Sequence, residues 1–210
     1  MPALPEMNVG GKGRMIAVGL TGGVATGKST VAKVMRQKGI AVINSDELAH
    51  QAIEPGGPAY EQVVADFGSE VLLPDGKINR RLLGEIVFGD QAARKRLEGI
   101  VHPIVIEGIR QELEHYSKDG AQIVVVEVPL LFEVGLMNLF DYVWVVSASY
   151  EHQLRRILER DRLTEVKAKE RIAAQMSLED KKKRADAVIT NDNGLDSLEK
   201  QVSTLLRTLE

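Results

Sequence analysis

The chain has 210 residues, 44% of them hydrophobic, enough for a core in one domain that carries inserted subdomains. Its 27 Lys and Arg against 30 Asp and Glu leave a formal net charge of -3, so no global attraction draws it to nucleic acid or an anionic membrane, and any anion site must be local. With no cysteine, neither a disulfide framework nor a thiolate metal site can form, which is compatible with a reducing compartment and an expected cytoplasmic location.

The opening "MPALPEMNVGGKGR" contains Pro and Gly but no apolar region of the secretory kind, and no later segment reaches the length of a membrane span, so a soluble protein is expected. Residues 1–14 read as a flexible extension, an engineered remnant or the result of a start codon assigned too far upstream. The first strand is "MIAVGL" (15–20). Immediately after it, Gly22 to Ser29 has the spacing G-x-x-x-x-G-K-S, a chance match on the order of 1 in 100 at average residue frequencies. The helical pattern "KSTVAKVMRQKG" follows, with Val31, Val34 and Met35 on one face, and strand–loop–helix is the context a phosphate-binding loop requires. Gly22, Gly23 and Gly27 let the backbone curl so that its N–H groups converge on an anion at a helix N-terminus. Lys28 would reach the β and γ phosphates, Ser29 would offer a hydroxyl to Mg²⁺, and Thr30 could cap the helix or contact the α phosphate.

The second strand, "IAVIN" (40–44), ends just before Asp46, on the sheet edge where such folds bind ligands. Asp46 could accept a proton from an attacking hydroxyl, help hold Mg²⁺, or merely cap the helix "ELAHQAI". About eighty residues then precede the third strand, too many for an ordinary crossover. They hold helical patterns at "AYEQVVADF", "RRLLGEIVF" and "ARKRLEGIV", a turn at "LPDGK", and "HPIVIEGIRQELEHY", where Pro103 fits a first helical turn. This gap, about 51–119, is expected to be a helical cap for a substrate.

The third strand, "QIVVVEV" (122–128), carries Glu127, placed to orient Mg²⁺ through water or to form a strand-end salt bridge. Glu133, after "PLLF", would face the same crevice or be solvated in a loop. The fourth strand is "DYVWVV" (141–146), and residues 151–184 follow as a charged helical stretch expected to form a lid. Arg156 and Arg160 lie four apart in it, able to close over a transferred phosphate or to remain solvated surface. Thr164 could cap its second half, and "KKKR" (181–184) reads as a basic helix face. "DAVIT" (186–190) is the fifth strand. Continuous apolar runs mean strands covered on both faces, hence an α/β fold with a parallel five-stranded sheet flanked by helices. The GTPase segments D-x-x-G and N-K-x-D do not occur together, which favours a kinase over a GTPase switch.

The order of "VGLTGGVATGKSTVA", "VINSDELAHQ", "EPGGPAYEQVVADFG", "DGKINRRLLGEIVF", "LEGIVHPIV", "VPLLFE", "RDRLTEVKAKERIAAQM" and "RADAVITNDNG" is more specific than the loop alone. Together these blocks resemble dephospho-CoA kinase, the family of the last step of coenzyme A synthesis, over about residues 15–200. The resemblance implies a P-loop kinase core (15–50, 120–150 and 185–210) with acceptor-binding and lid insertions. It implies ATP as donor with Mg²⁺, dephospho-CoA as acceptor, no nucleic acid or membrane partner, and a monomer or small homo-oligomer. Ala25, Thr26, Gly27, Lys28, Ser29 and Thr30 would then hold ATP, with Asn191 near its adenine. Asp46 would take the proton from the ribose 3′-hydroxyl, Arg80, His102, Pro103 and Glu133 would serve the acceptor, and Arg156 and Arg160 would act from the lid. By spacing alone His102 could equally be a helix-capping core histidine. The chain departs from the family in having Asn44 where an aspartate is frequent, and Asn193 where glycine is frequent, the latter tolerable because Asn accepts left-handed dihedrals.

Overall fold

The computed structural model describes residues 14–161 and 163–209; apart from Arg14, the expected N-terminal extension lies outside the described residues. The strands are β1 (Ile16–Gly22), β2 (Ala41–Asn44), β3 (Ile123–Glu127), β4 (Tyr142–Ser147) and β5 (Ala187–Thr190), each within two residues of its predicted run. They form one five-stranded sheet in the order β2-β3-β1-β4-β5, with parallel ladders joining β1 to β3, β1 to β4 and β4 to β5. Parallel pairing puts the C-terminal ends of these strands on one edge. Because the chain moves first to one side of β1 and then to the other, the loop after β1 leaves the sheet where the strand order reverses, the position at which such sheets open a crevice for ligands.

Helix α1 (Lys28–Gln37) follows that loop and α9 (Gly194–Arg207) closes the chain. Their apolar faces, Val31, Val34 and Met35 on α1 and Leu198, Val202 and Leu206 on α9, pack with Val18, Leu20, Trp144, Val146 and Ile189 in one buried cluster. The charged stretch after β4 forms α6 (Tyr150–Asp161), α7 (Glu165–Ala173) and α8 (Leu178–Lys183). Thr164 caps α7, its side chain accepting the Lys167 N–H, so the cap forms although the reciprocal acidic partner is missing. The "KKKR" run is not uniformly a surface face: Lys183 and Arg184 are exposed, but Lys181 is fully buried.

Contacts divide the chain into two compact units, one that runs to Ile43 and resumes at His115, and another comprising Asn44–Glu114. The second contains α2 (Ser45–Ala52), α3 (Tyr60–Phe67), α4 (Arg80–Gly89) and most of α5 (Gln91–Lys118), with its own core of Ala52, Ala59, Val63, Phe67, Val71, Ile78, Leu83, Ala93 and Ile100. One sequence expectation is corrected there. Pro103 does not open a helix but lies inside α5, which runs unbroken from Gln91. Proline removes the N–H that would reach Gly99, and because both residues are exposed, water can take the orphaned carbonyl. Among the described residues no helix is long and apolar enough to cross a membrane.

Candidate active site

The loop after β1 is built from backbone conformations that few residues adopt. Ala25 has φ 56° and Gly27, the N-cap of α1, has φ 93°, both in the left-handed region. For Ala25 that conformation costs about 1–2 kcal/mol, so surrounding contacts must hold it. They do: the Arg156 guanidinium donates to the carbonyls of Ala25 at 3.2 Å and Thr26 at 3.3 Å, and to that of Asn191 at 2.9 Å. The Asn191 amide donates to the Thr26 carbonyl at 2.9 Å and packs so closely on Gly27 that a Cβ there would collide with it. Thr26, wholly buried, returns its hydroxyl to the Gly23 carbonyl at 2.9 Å. Several of the loop's carbonyls are thus occupied by Arg156, Asn191 and Thr26, and a glycine-rich strand-to-helix turn held in this way is the kind of backbone that forms anion-binding concavities. Lys28 lies along the same loop, its ammonium 3.0 Å from the Gly23 carbonyl and 3.3 Å from that of Gly22. Ser29 and Thr30 are exposed in the first turn of α1.

Five residues singled out from sequence, Ala25, Thr26, Gly27, Arg156 and Asn191, are therefore in direct contact, although up to 165 positions separate them. The second arginine of the Arg156 and Arg160 pair behaves differently. Arg160 is exposed and bonds Asp161 at 2.7 and 2.9 Å, and Arg171 joins the same carboxylate at 2.8 Å. The hydrogen bonds from Arg160, reinforced by the charges of Arg160 and Arg171, hold the Asp161 carboxyl below the usual aspartate range. Glu127 is buried at the end of β3, in register with Leu20 of β1. Glu133 lies in the loop after β3, where its carboxylate meets Lys181 of α8 at 2.8 Å and accepts the Met176 N–H at 3.2 Å.

A cavity of about 670 Å³ opens beside the loop, lined among others by Gly23, Val24, Ser149, Gln153, Gln175 and Asp192. That volume is within the range of small-molecule pockets, roughly 300–1,000 Å³. Its wall is braced by His152 of α6, whose Nδ1 bonds Asp192 at 2.7 Å, while Asp192 also accepts the Ser149 N–H at 2.9 Å. The Ser149 amide, with help from His152, keeps the Asp192 carboxyl below its ordinary range. Neither His152 nor Asp192 nor Gln175 has a local sequence signature, and the sequence reading passed over them. For Asp192, adjacency to Asn191 in "NDNG" was the one available hint.

In the second unit, Asp46 sits in the first turn of α2 and is exposed. Asn44, not Asp46, is the cap: its side-chain oxygen accepts the Asp46 N–H at 2.9 Å. The helix thus begins two residues earlier than expected, at Ser45 rather than Glu47, and the Asp46 carboxylate is relieved of the capping role. Arg80 opens α4 and pairs with Glu54. His102, half-buried, and Pro103, exposed, lie midway along α5.

Among the described residues no cluster of three or more His, Asp or Glu could bind a metal ion unaided. The Ser29 hydroxyl and the Glu127 carboxylate are hard oxygens, of the kind that suit a cation carried mainly by phosphates.

Comparison with known proteins agrees with this geometry. The dephospho-CoA kinase family model matches residues 16–197. The dephospho-CoA kinase of Shouchella clausii is 46% identical over 185 residues, 88% of this chain and 94% of that protein. That of Bacillus licheniformis is 47% identical over 193 residues, 92% and 96% of the two chains. A solved dephospho-CoA kinase from Campylobacter jejuni superposes with a TM-score of 0.70 at 32% identity, covering 92% of this chain and 96% of its own. With a family match across nearly the whole described fold, the strand order of a nucleotide-binding α/β sheet and a braced phosphate loop, the chain belongs to the dephospho-CoA kinase family.

Proposed function

We infer that this chain performs its family's reaction by in-line transfer of the γ-phosphoryl group of ATP to the ribose 3′-hydroxyl of dephospho-CoA, giving coenzyme A and ADP. The observation that carries the donor half is the convergence of Arg156 and Asn191 on the carbonyls of Ala25 and Thr26, which shapes the loop before any ligand arrives. A pre-shaped loop spends none of the ligand's binding energy on ordering itself. Gly22, Gly23 and Ala25 through Thr30 would hold the triphosphate, and Lys28 would swing from the loop carbonyls to the β and γ phosphates. Asn191, near the adenine in this reading, and Arg156, acting from the lid, also brace the loop through the carbonyls of Ala25 and Thr26.

The Ser29 hydroxyl, and Glu127 through water, would hold a Mg²⁺ carried with ATP, and the ion would supply neutralisation of phosphate charge. Asp46 is the base that takes the proton of the 3′-hydroxyl as the new O–P bond forms. Support for it is the family match across this segment together with a carboxylate freed from capping by Asn44. Arg80, His102, Pro103 and Glu133 serve the acceptor in this reading, and Arg160 adds positive charge from the lid once it exchanges Asp161 for phosphate. The acceptor-binding role of residues 51–119 and the lid role of 151–184 rest on the same family correspondence. A cytoplasmic location agrees with a reaction between two soluble metabolites.

An acceptor panel tests the assignment. ADP release from ATP is measured with dephospho-CoA, nucleoside monophosphates, a sugar acid and no acceptor. Strong turnover with dephospho-CoA alone is expected; comparable turnover with another acceptor would reassign the chain to a different small-molecule kinase, and acceptor-independent nucleotide binding to a switch module.

A further inference from the structure

The buried ammonium of Lys181 has no part in the chemistry above. Its side chain is wholly enclosed, 0% exposed, on the inner face of α8. Removing a lysine head from water is costly unless it is paired, and a buried pair seldom adds net stability over apolar residues of the same size. Such a group is therefore better explained by the arrangement it enforces. Lys181 Nζ lies 2.8 Å from Glu133 Oε1 and 3.4 Å from the carbonyl of Pro129. Both acceptors belong to the loop that follows β3.

Two routes lead from that loop to the phosphate site. The Glu133 carboxylate also accepts the N–H of Met176, at 3.2 Å, in the turn between α7 and α8. The neighbouring residue, Gln175, places its side-chain oxygen 2.9 Å from the N–H of Val24, inside the phosphate loop. Separately, the Pro129 carbonyl that faces Lys181 accepts the hydroxyl of Thr21 at 3.2 Å, and Thr21 directly precedes Gly22. Lys181 thus holds the turn that carries Gln175 and shares an acceptor with the strand end from which the loop springs.

We propose that Lys181 is a positioning residue: through Glu133 it fixes the α7–α8 turn so that Gln175 stays docked on the Val24 amide, which sets the phosphate loop for ATP. This inference rests on the reading of Gly22–Ser29 as the ATP site. Gln175 touches backbone and not the reacting atoms, so it too positions rather than catalyses.

The test is a double-mutant cycle of Lys181→Met and Gln175→Ala, with two readouts. Amide hydrogen exchange at Val24 is measured without substrate, and kcat/KM for ATP is measured with dephospho-CoA at saturation. Each single variant is expected to speed Val24 exchange and lower kcat/KM for ATP by about 10- to 100-fold, the range of a lost hydrogen bond to a charged or strained site. The double variant should lose no more than the worse single, because both act through one contact. Multiplying effects, or unchanged Val24 exchange in Lys181→Met, would overturn the proposal. If Lys181→Met does not fold, Glu133→Gln takes its place: it keeps the shape of the loop but removes the charge, and it must still speed Val24 exchange for the proposal to stand. The exchange readout needs no acceptor, so a wrong substrate assignment would appear only in the kinetics.

Discussion

The unit that runs to Ile43 and resumes at His115 holds Arg156 and Asn191, two of its candidate residues, by hydrogen bonds to backbone, while Asn44–Glu114 presents its candidates on helices. In the first, Arg156, Asn191 and Gln175 all meet groups of the phosphate loop's main chain. In the second, Asp46 is exposed on α2, Arg80 pairs with a neighbouring carboxylate and His102 lies on α5. A triphosphate is common to many enzymes and can be met by amides in a fixed curl. An acceptor is particular to one family, and side chains on helices can be varied without rebuilding the loop. In the proposed reading, donor recognition therefore rests on a rigidly held main chain, and acceptor recognition is spread over helix surfaces.

The largest expected effect separates these two halves directly. Asp46→Asn should lower kcat by about 10²- to 10⁴-fold, the range for loss of a general base, while leaving the equilibrium affinity for ATP unchanged. Lys28→Ala should impair both turnover and ATP binding. Near-normal turnover of Asp46→Asn in an ADP-release assay would remove the base assignment.

Next in size is a change in the second unit's own core. Leu83→Ala, at a site only 3% exposed, should cost about 2–5 kcal/mol. The single tryptophan, Trp144, reports on the other core. In urea, Leu83→Ala should move the transition seen by circular dichroism further than the one seen by Trp144 fluorescence. Coincident, equally shifted transitions would mean that the units unfold as one and that the division has no energetic counterpart.

Gly27→Ala is expected to be smaller and confined to the donor half. A side chain at φ 93° is strained, by about 1–3 kcal/mol, and its Cβ would strike Asn191. KM for ATP should rise about 10- to 100-fold with KM for dephospho-CoA little altered. An equal rise in both would show that the two halves are coupled through the loop.

The smallest effect concerns the brace beside the cavity. Asp192 has a folded-state pKa below its ordinary value, chiefly through the Ser149 amide, so the unfolded chain takes up its proton first as pH falls. Its contribution to stability is complete above the unfolded value and is lost as pH drops through the folded one. Asp192→Asn should lower the melting temperature by a few degrees at neutral pH, and the gap from the parent protein should close in strong acid. A gap that stays constant with pH would assign the stabilisation to shape rather than charge.

Much of this was legible in the chain because it depends on neighbours in sequence. The five strands could be read from continuous apolar runs, since a strand buried on both faces has no polar side to show. The phosphate loop could be read because its glycines, lysine and serine act within eight consecutive positions. Where the signal was ambiguous, competing local forces decided. Asn44 took the cap that Asp46 could have taken, and Pro103 was accommodated within α5 by solvent exposure instead of starting a helix.

Local pattern was thus sufficient for the sheet and for the anion loop, because periodicity and close spacing are properties of short segments; the family resemblance rested instead on the order of motif blocks along most of the chain. It could not reveal that Arg156 and Asn191 would share the Thr26 carbonyl, or that the first lysine of a basic run would turn inward to Glu133. Those choices depend on which surfaces α6, α8 and β5 present once folded. Burial there makes an unpaired charge or amide costly, and this cost selects partners far apart in the chain.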